Sequence, residues 1–155
     1  MGLASIGLAF LRLVLSISFA VIGLYVASWV LGKLTKGINE WEEVSKGNNA
    51  VAIYMAGIFL SVAIIIGPGI LGLFRTMEIV GIALGFVQLI FALILAVAAQ
   101  YIGLSVLSKL MKGVDTWEEL RNGNIATAIV MAATVVAVGT IVATGVQSII
   151  EVIFI

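Results

Sequence analysis

The sequence predicts an all-α membrane protein with four transmembrane helices. Of its 155 residues, 63% are hydrophobic and only 10% are charged, whereas soluble domains carry roughly 25% charged residues. Four apolar runs are each long enough to cross a hydrocarbon core of about 30 Å, which takes about 20 helical residues. A polar segment also occurs twice, so we expect a tandem repeat of one two-helix hairpin.

The repeated polar segment is the main evidence for a duplication. Residues 33–56 recur as residues 109–132, and the matches are polar, glycine and aromatic positions. They are Lys33 and Lys109, Lys36 and Lys112, Gly37 and Gly113, Trp41 and Trp117, Glu42-Glu43 and Glu118-Glu119, Gly47 and Gly123, Asn48 and Asn124, and Met55 and Met131. We call residues 33–48 the first hinge and residues 109–124 the second hinge. We expect one membrane domain over residues 1–155, with repeats over about 1–75 and 76–155.

The apolar runs set the predicted spans, at about residues 13–32, 49–71, 79–107 and 125–150. Arg12 lies at the outer end of the first span, where its head can extend to the interface; a functional intramembrane arginine is the alternative. We expect Gly67-Pro68-Gly69 to terminate the helix at the outer end of the second span, because proline removes a backbone donor and glycine adds freedom. A broken helix at a transport site is the alternative, but such breaks usually occur in both halves, and the second half has no proline. A short turn over residues 74–78 should follow.

Each hinge is predicted to contain a short interfacial helix. Asn39 and Asp115 are favoured N-cap residues, and the glutamates three positions later, Glu42 and Glu118, would complete capping boxes. Each helix should end at a left-handed glycine, which predicts this role for Gly47 and Gly123.

Two further pairs of hinge residues have predicted roles. Asn48 and Asn124 directly precede apolar runs, so we expect them to cap the second and fourth spans; a polar contact at a pore mouth or partner site is the alternative. Trp41 and Trp117 each have an aliphatic neighbour three positions later and are predicted to be anchors at the membrane interface.

Small residues are expected to bring the helices together. Gly81 and Gly85 form a GxxxG motif in the third span, and Ala128 and Ala132 contribute to a small-residue face in the fourth. The third span also holds two amides. We expect Gln100 to lie at the interface beside Tyr101, whereas the role of Gln88 stays open.

The lysine and arginine distribution predicts the orientation. Six of these residues lie in the hinges, and the other two are Arg12 and Arg75. The positive-inside rule therefore predicts cytoplasmic hinges and external termini in a multi-pass protein. Because each repeat crosses twice, the repeats should be related by a pseudo-two-fold axis along the membrane normal.

The composition argues against an enzyme. The absence of cysteine and histidine removes thiol nucleophiles and the usual imidazole base or metal ligand. We predict no catalytic residue, cofactor or metal site. A divalent cation held by the hinge acids with Asn48 and Asn124 is the alternative to a solvated, paired face. The zero net charge argues against nucleic-acid binding, and the lack of an acid in mid-span argues against a coupled carrier.

The hinge sequences resemble a known family. NEWEEVSKGNNAVAIYMAG and its weaker copy DTWEELRNGNIATAIVMAA are similar to the small bacterial and archaeal membrane proteins of the YjfL type. They form a domain-of-unknown-function family, number 350, with four predicted spans. The resemblance covers nearly the whole chain. It implies a plasma-membrane location and an uncharacterised role, and it supplies no catalytic residue.

Two functional hypotheses follow. The first is a non-enzymatic integral membrane protein that associates with itself or serves as an accessory subunit of a larger membrane complex, with membrane lipid as its surroundings. The alternative is a passive oligomeric channel for ions or small solutes, with hinge acids around its mouth. The hydroxyl residues are scattered rather than aligned on one face, which favours the first hypothesis.

Overall fold

A computed structural model describes residues 3–35, 37–73 and 79–153 as a bundle of six helices. The helices are α1 (Leu3–Leu34), α2 (Glu40–Ser45), α3 (Asn49–Leu73), α4 (Ile79–Leu110), α5 (Thr116–Arg121) and α6 (Ile125–Ile153). No strand occurs in these three ranges. The predicted all-α class is therefore confirmed. The order of a long, a short and a long helix occurs twice along the chain.

Four of the helices are long and apolar enough to cross a membrane. Their candidate spans are Ala9–Trp29, Asn49–Ile70, Phe86–Leu110 and Ile125–Ile149, which overlap the four predicted spans. This arrangement fits a multi-pass membrane protein. Arg12 falls within the first span, but its side chain lies outside the described residues.

Helix α3 is the central element of the bundle. It packs against α6, α4 and α1, and 56% of its span is buried compared with 12% of the span of α1. Tyr54, Ile58 and Ile65 of α3 are fully buried, as is Val135 of α6. Between membrane helices such contacts stabilise through close van der Waals packing, because lipid tails are as apolar as the side chains themselves.

The backbones of α3 and α6 touch at two glycines. A Cβ atom added to Gly57 would lie 2.6 Å from the Cβ and 2.7 Å from the Cα of Ala132. Gly139 on α6 contacts Ser61 on α3 in a similar way. Ala128 is fully buried, and Ala132 is half-buried against Gly57. The backbones of Gly81 and Gly85 are helical, but their packing lies outside the described residues.

The prediction that Gly67-Pro68-Gly69 terminates the second long helix is wrong, although the candidate span itself ends at Ile70. Helix α3 contains Pro68 and continues to Leu73. Proline removes one amide donor, but ending the helix inside a membrane would leave several backbone groups without partners. The flanking side chain of Ile66 is also buried, so packing favours continuation. The predicted turn at residues 74–78 lies outside the described residues.

Candidate functional site

The two hinges lie on the same side of the bundle, and each begins with a capped short helix. Asn39 Oδ1 accepts a hydrogen bond from the amide of Glu42 at 3.4 Å. Asp115 Oδ1 accepts from the amides of Trp117 and Glu118 at 3.0 and 3.2 Å. The carboxylate of Glu42 lies 2.7 Å from Lys46 Nζ and forms an ion pair with it. The predicted capping box would instead have turned this carboxylate towards the backbone amide of Asn39.

Each short helix ends in a Schellman motif. Gly47 has a φ of 87° and donates its amide proton to the carbonyl of Val44 at 3.0 Å. The Asn48 amide then donates to the carbonyl of Glu43 at 3.0 Å. Gly123, with a φ of 78°, and Asn124 repeat the same pair of bonds. A side chain at these two positions would be strained, because positive φ is open mainly to glycine.

Asn48 and Asn124 cap the long helices that follow the hinges. Asn48 Oδ1 accepts from the amides of Ala50 and Val51 at 3.1 and 3.2 Å. Asn124 Oδ1 accepts from the amide of Thr127 at 3.2 Å. Both asparagines also donate from the side-chain amide to a glutamate of their own hinge.

Asn48 additionally joins the first hinge to the second. Its Nδ2 lies 3.2 Å from the carbonyl oxygen of Leu120 and 3.1 Å from that of Arg121. Those carbonyls belong to the last turn of α5, where intrahelical partners run out. Within the described ranges, Asn124 makes no equivalent bond to the first hinge. The cross-hinge contact is therefore asymmetric.

The acids near Asn48 are neutralised locally. The hydrogen bond from Asn48 and then that from Lys46 lower the pKa of the Glu43 carboxyl. Glu42 and Glu43 in turn raise the pKa of Lys46. The oxygen of Asn48 is already committed to capping α3, and the described residues contain no cluster of three or more potential metal ligands. Around Asn48 the first hinge thus carries paired charges.

Two buried polar groups without hydrogen-bond partners among the described residues lie beneath the first hinge. Glu40 is 6% exposed, and its Oε1 has no hydrogen-bond partner among the described residues. The hydroxyl of Tyr54 on α3 is also buried and, within the same ranges, has no partner. Burial raises the pKa of the Glu40 carboxyl. At the corresponding positions of the second hinge and α6 the chain has Thr116 and Val130, so only the first half of the chain combines a buried glutamate with a buried tyrosine here.

The two hinge tryptophans have different surroundings. Trp41 is 59% exposed, near Phe59, as an anchor at the membrane surface would be. Trp117 is half-buried. Its ring meets that of Tyr54 edge-on, with centroids 5.8 Å apart. Trp117 therefore ties the second hinge to the central helix α3.

A hydrogen-bonded chain crosses the interior of the bundle. Gln100 Nε2 donates to Ser61 Oγ at 2.6 Å, and Ser61 Oγ donates to the carbonyl of Val135 at 2.7 Å. These groups join α4, α3 and α6. Gln100 is fully buried, so its predicted place at the interface is wrong: in an apolar interior an amide finds its partner on a neighbouring helix. Gln88 is also buried.

Sequence comparison establishes the family. A family model described as Domain of Unknown Function (DUF350) matches residues 4–146. The chain belongs to the DUF350 family. No curated protein and no solved structure matches it. The resemblance of the hinge sequences is thereby confirmed. The DUF350 family is uncharacterised, so it assigns no activity to the chain. The function of this DUF350 protein must therefore be inferred from its own contacts.

Several important residues of this DUF350 protein were not identified from the sequence. Ser61 is one of the few polar residues in its apolar run, and Gln100 is one of two amides in the third run. A search for polar partners across the spans would have paired them. Nothing local distinguishes Gly57 from other span glycines, and nothing local marks Glu40 as buried, because both properties come from the position of a distant helix.

Proposed function

We propose that this DUF350 protein is a non-enzymatic membrane component that associates with itself or with another membrane protein. One observation carries the proposal: the exposed surface of α6 includes a stripe of small residues, flanked by exposed aliphatic residues such as Ile129 and Ile141. At helical spacing the small residues share one side of the helix. They are Ala126, Ala133, Ala137, Thr140, Thr144 and Ser148. A second helix can approach such a surface closely.

The hydroxyl groups of this α6 stripe do not need an outside partner. Thr140 donates to the carbonyl of Val136 at 2.9 Å, and Ser148 donates to the carbonyl of Thr144 at 3.0 Å. Their methyl and methylene groups remain available for packing. Ala128 and Ala132, predicted to bring the helices together, pack inside the bundle and are not on this exposed stripe. We therefore assign association to Ala133 and Ala137.

The described interior of the bundle argues against conduction through a single chain. The buried hydroxyl of Ser61 is engaged by Gln100 and Val135, as described above. A cavity of about 210 Å³ between α1 and α3 is lined by apolar residues such as Leu24, Phe59 and Val62. A conducting path needs aligned polar groups or water, and an apolar cavity supplies neither.

Cysteine crosslinking tests the α6 interface directly, because the chain has no native cysteine. Ala137→Cys should form disulfide-linked dimers in oxidised membranes, whereas Ala98→Cys, on the exposed face of α4, should not. Adding Ala133→Leu to Ala137→Cys should weaken dimerisation at least about tenfold, equivalent to about 1.4 kcal/mol. Adding Ala98→Leu is the matched control.

Equal crosslinking at both cysteines would overturn the α6 assignment. A conductance measurement tests the oligomeric channel. The channel would replace the association role if the protein reconstituted alone conducts reproducibly and Glu43→Gln or Glu119→Gln alters its ion selectivity.

We also propose a plasma-membrane location with cytoplasmic hinges, external termini and two repeats related by a two-fold axis along the membrane normal. The lysine bias of the hinges supports the orientation. Contact between the two hinges supports placing both on one side. Cysteines introduced at Ser45 and Thr76 should label from opposite sides of intact cells. Labelling of both from outside, or a two-fold axis in the membrane plane, would contradict the topology.

A further inference from the structure

A polar groove lies between the hinge-side ends of α1 and α4. Its volume is about 360 Å³. Two lysines, two serines and two aromatic residues line it together with Leu104: Lys33, Lys109, Ser105, Ser108, Tyr101 and Trp117. Lys33 and Lys109 occupy equivalent positions in the two sequence repeats. The fold thus brings both copies of one repeated lysine into a single groove.

The positive charge of this groove is not balanced within its lining. No acidic residue is among the described residues that line it, and within the described ranges neither Lys33 nor Lys109 forms an ion pair. Lys33 Nζ lies 6.0 Å from the centre of the Trp29 ring, a contact that leaves its charge available. Asp115 borders an adjacent cleft that shares Ser108 and Trp117, but its carboxylate is engaged in capping α5.

The groove lies at the hinge-side end of a candidate span, the level at which a bilayer has its headgroups. Lys109 is at the end of the span Phe86–Leu110, and tyrosine and tryptophan are typical of the membrane interface. Exposed apolar side chains continue along the same face of α4 from the groove towards the membrane interior, at Ile94 and Ile90. A ligand with an anionic head and an apolar tail matches this combination.

We propose that the groove binds the phosphate group of an anionic phospholipid in the hinge-side leaflet. Lys33 and Lys109 supply the opposite charge, and the hydroxyls of Ser105 and Ser108 are hydrogen-bond donors for phosphate oxygens. Basic pockets between membrane helices bind anionic headgroups in this way. A soluble phosphate compound would share the headgroup chemistry, but it would leave the apolar track along α4 unused.

Fluorescence quenching of Trp117 tests the site at the groove itself. The chain has three tryptophans, so Trp29→Phe/Trp41→Phe leaves Trp117 as the reporter. In phosphatidylcholine vesicles containing brominated phosphatidylglycerol, Trp117 should be quenched at lower mole fractions than with brominated phosphatidylcholine. Lys33→Gln/Lys109→Gln in this background should reduce the relative affinity about 25-fold, at about fivefold per lysine.

The matched control removes two charges from the same side of the protein but outside the groove. Lys46→Gln/Lys112→Gln should keep most of the preference for phosphatidylglycerol. An equal loss in both double variants would overturn the groove assignment, as would no loss in Lys33→Gln/Lys109→Gln. Inorganic phosphate and glycerol phosphate, added at constant ionic strength, should not relieve the quenching. Relief at millimolar concentration would assign the groove to a soluble phosphate and overturn the lipid proposal.

Discussion

Gly57→Ala tests the contact on which the α3–α6 interface depends. The added Cβ would lie 2.6 Å from the Cβ and 2.7 Å from the Cα of Ala132, whereas carbon atoms in contact prefer about 3.5–4.0 Å. The obstructing atoms belong to a helix backbone and to an alanine, so no side chain can rotate away. The two helices must move apart locally by about 1 Å, a gap that forfeits a quarter to a half of each affected contact.

The net effect of Gly57→Ala is the difference between two opposing contributions. Overpacking of a close interface costs about 1–3 kcal/mol, while replacing glycine by alanine within a helix returns up to about 1 kcal/mol. We therefore expect Gly57→Ala to destabilise the fold by about 1–2 kcal/mol. Gly145→Ala is the matched control, since a Cβ there meets nothing within 4 Å. It should be neutral or stabilising by up to about 1 kcal/mol.

Reversible unfolding in mixed micelles with increasing dodecyl sulfate, followed by tryptophan fluorescence and circular dichroism, measures both variants. The two substitutions add the same methyl group, so their difference isolates the α3–α6 contact. Equal stabilities for Gly57→Ala and Gly145→Ala would refute the reasoning, and so would a stabilising effect of Gly57→Ala.

Three further predictions concern the polar contacts, each measured by the same unfolding assay. Because burial raises the pKa of Glu40, stability should fall as pH rises from the ordinary value of 4.5 through the pKa in the folded protein. Above this pH range the Glu40→Gln variant should be more stable than the unsubstituted protein. A difference in stability between the two that does not change with pH would contradict this. Asn48→Ala should cost about 2 kcal/mol, from a lost cap and the lost bonds across the hinges. Asn124→Ala should cost about 1 kcal/mol, and equal costs would contradict the asymmetry. Ser61→Ala should cost about 1–2 kcal/mol, because it leaves the Gln100 amide without its partner. Ser61→Ala/Gln100→Leu should then cost less than the two single variants added together, and strict additivity would argue against the bond.

Features set by local rules could be predicted from the sequence, and those set by a distant helix could not. Hydrophobic length identified the four long helices, since a bilayer fixes how many apolar residues a crossing needs. The positions of Asn39 and Gly47 followed from capping preferences, which depend on only a few neighbouring residues. By contrast, Trp117 is half-buried while Trp41 is exposed, because Tyr54 of the distant helix α3 packs against Trp117.

Pro68 and Gln100 show how tertiary surroundings override a local rule. A Gly-Pro-Gly sequence ends most helices in water, where exposed backbone groups bond to solvent. Within an apolar bundle the same sequence continues, because ending the helix would leave more groups unpaired. Gln100 follows the same logic: beside a tyrosine it suggests an interface, but Ser61 on α3 offers it a partner inside the bundle.

The peripheral position of α1 has a consequence for how the protein is handled outside its membrane. Only 12% of its span is buried, and its contacts are mainly with α3. In a bilayer, confinement to two dimensions and the tether of the first hinge keep α1 at a high effective concentration beside the bundle. A detergent micelle removes the lateral confinement while the tether remains. We therefore expect solubilisation to loosen α1 before the three better-packed helices, so lipid discs are the better medium for purification.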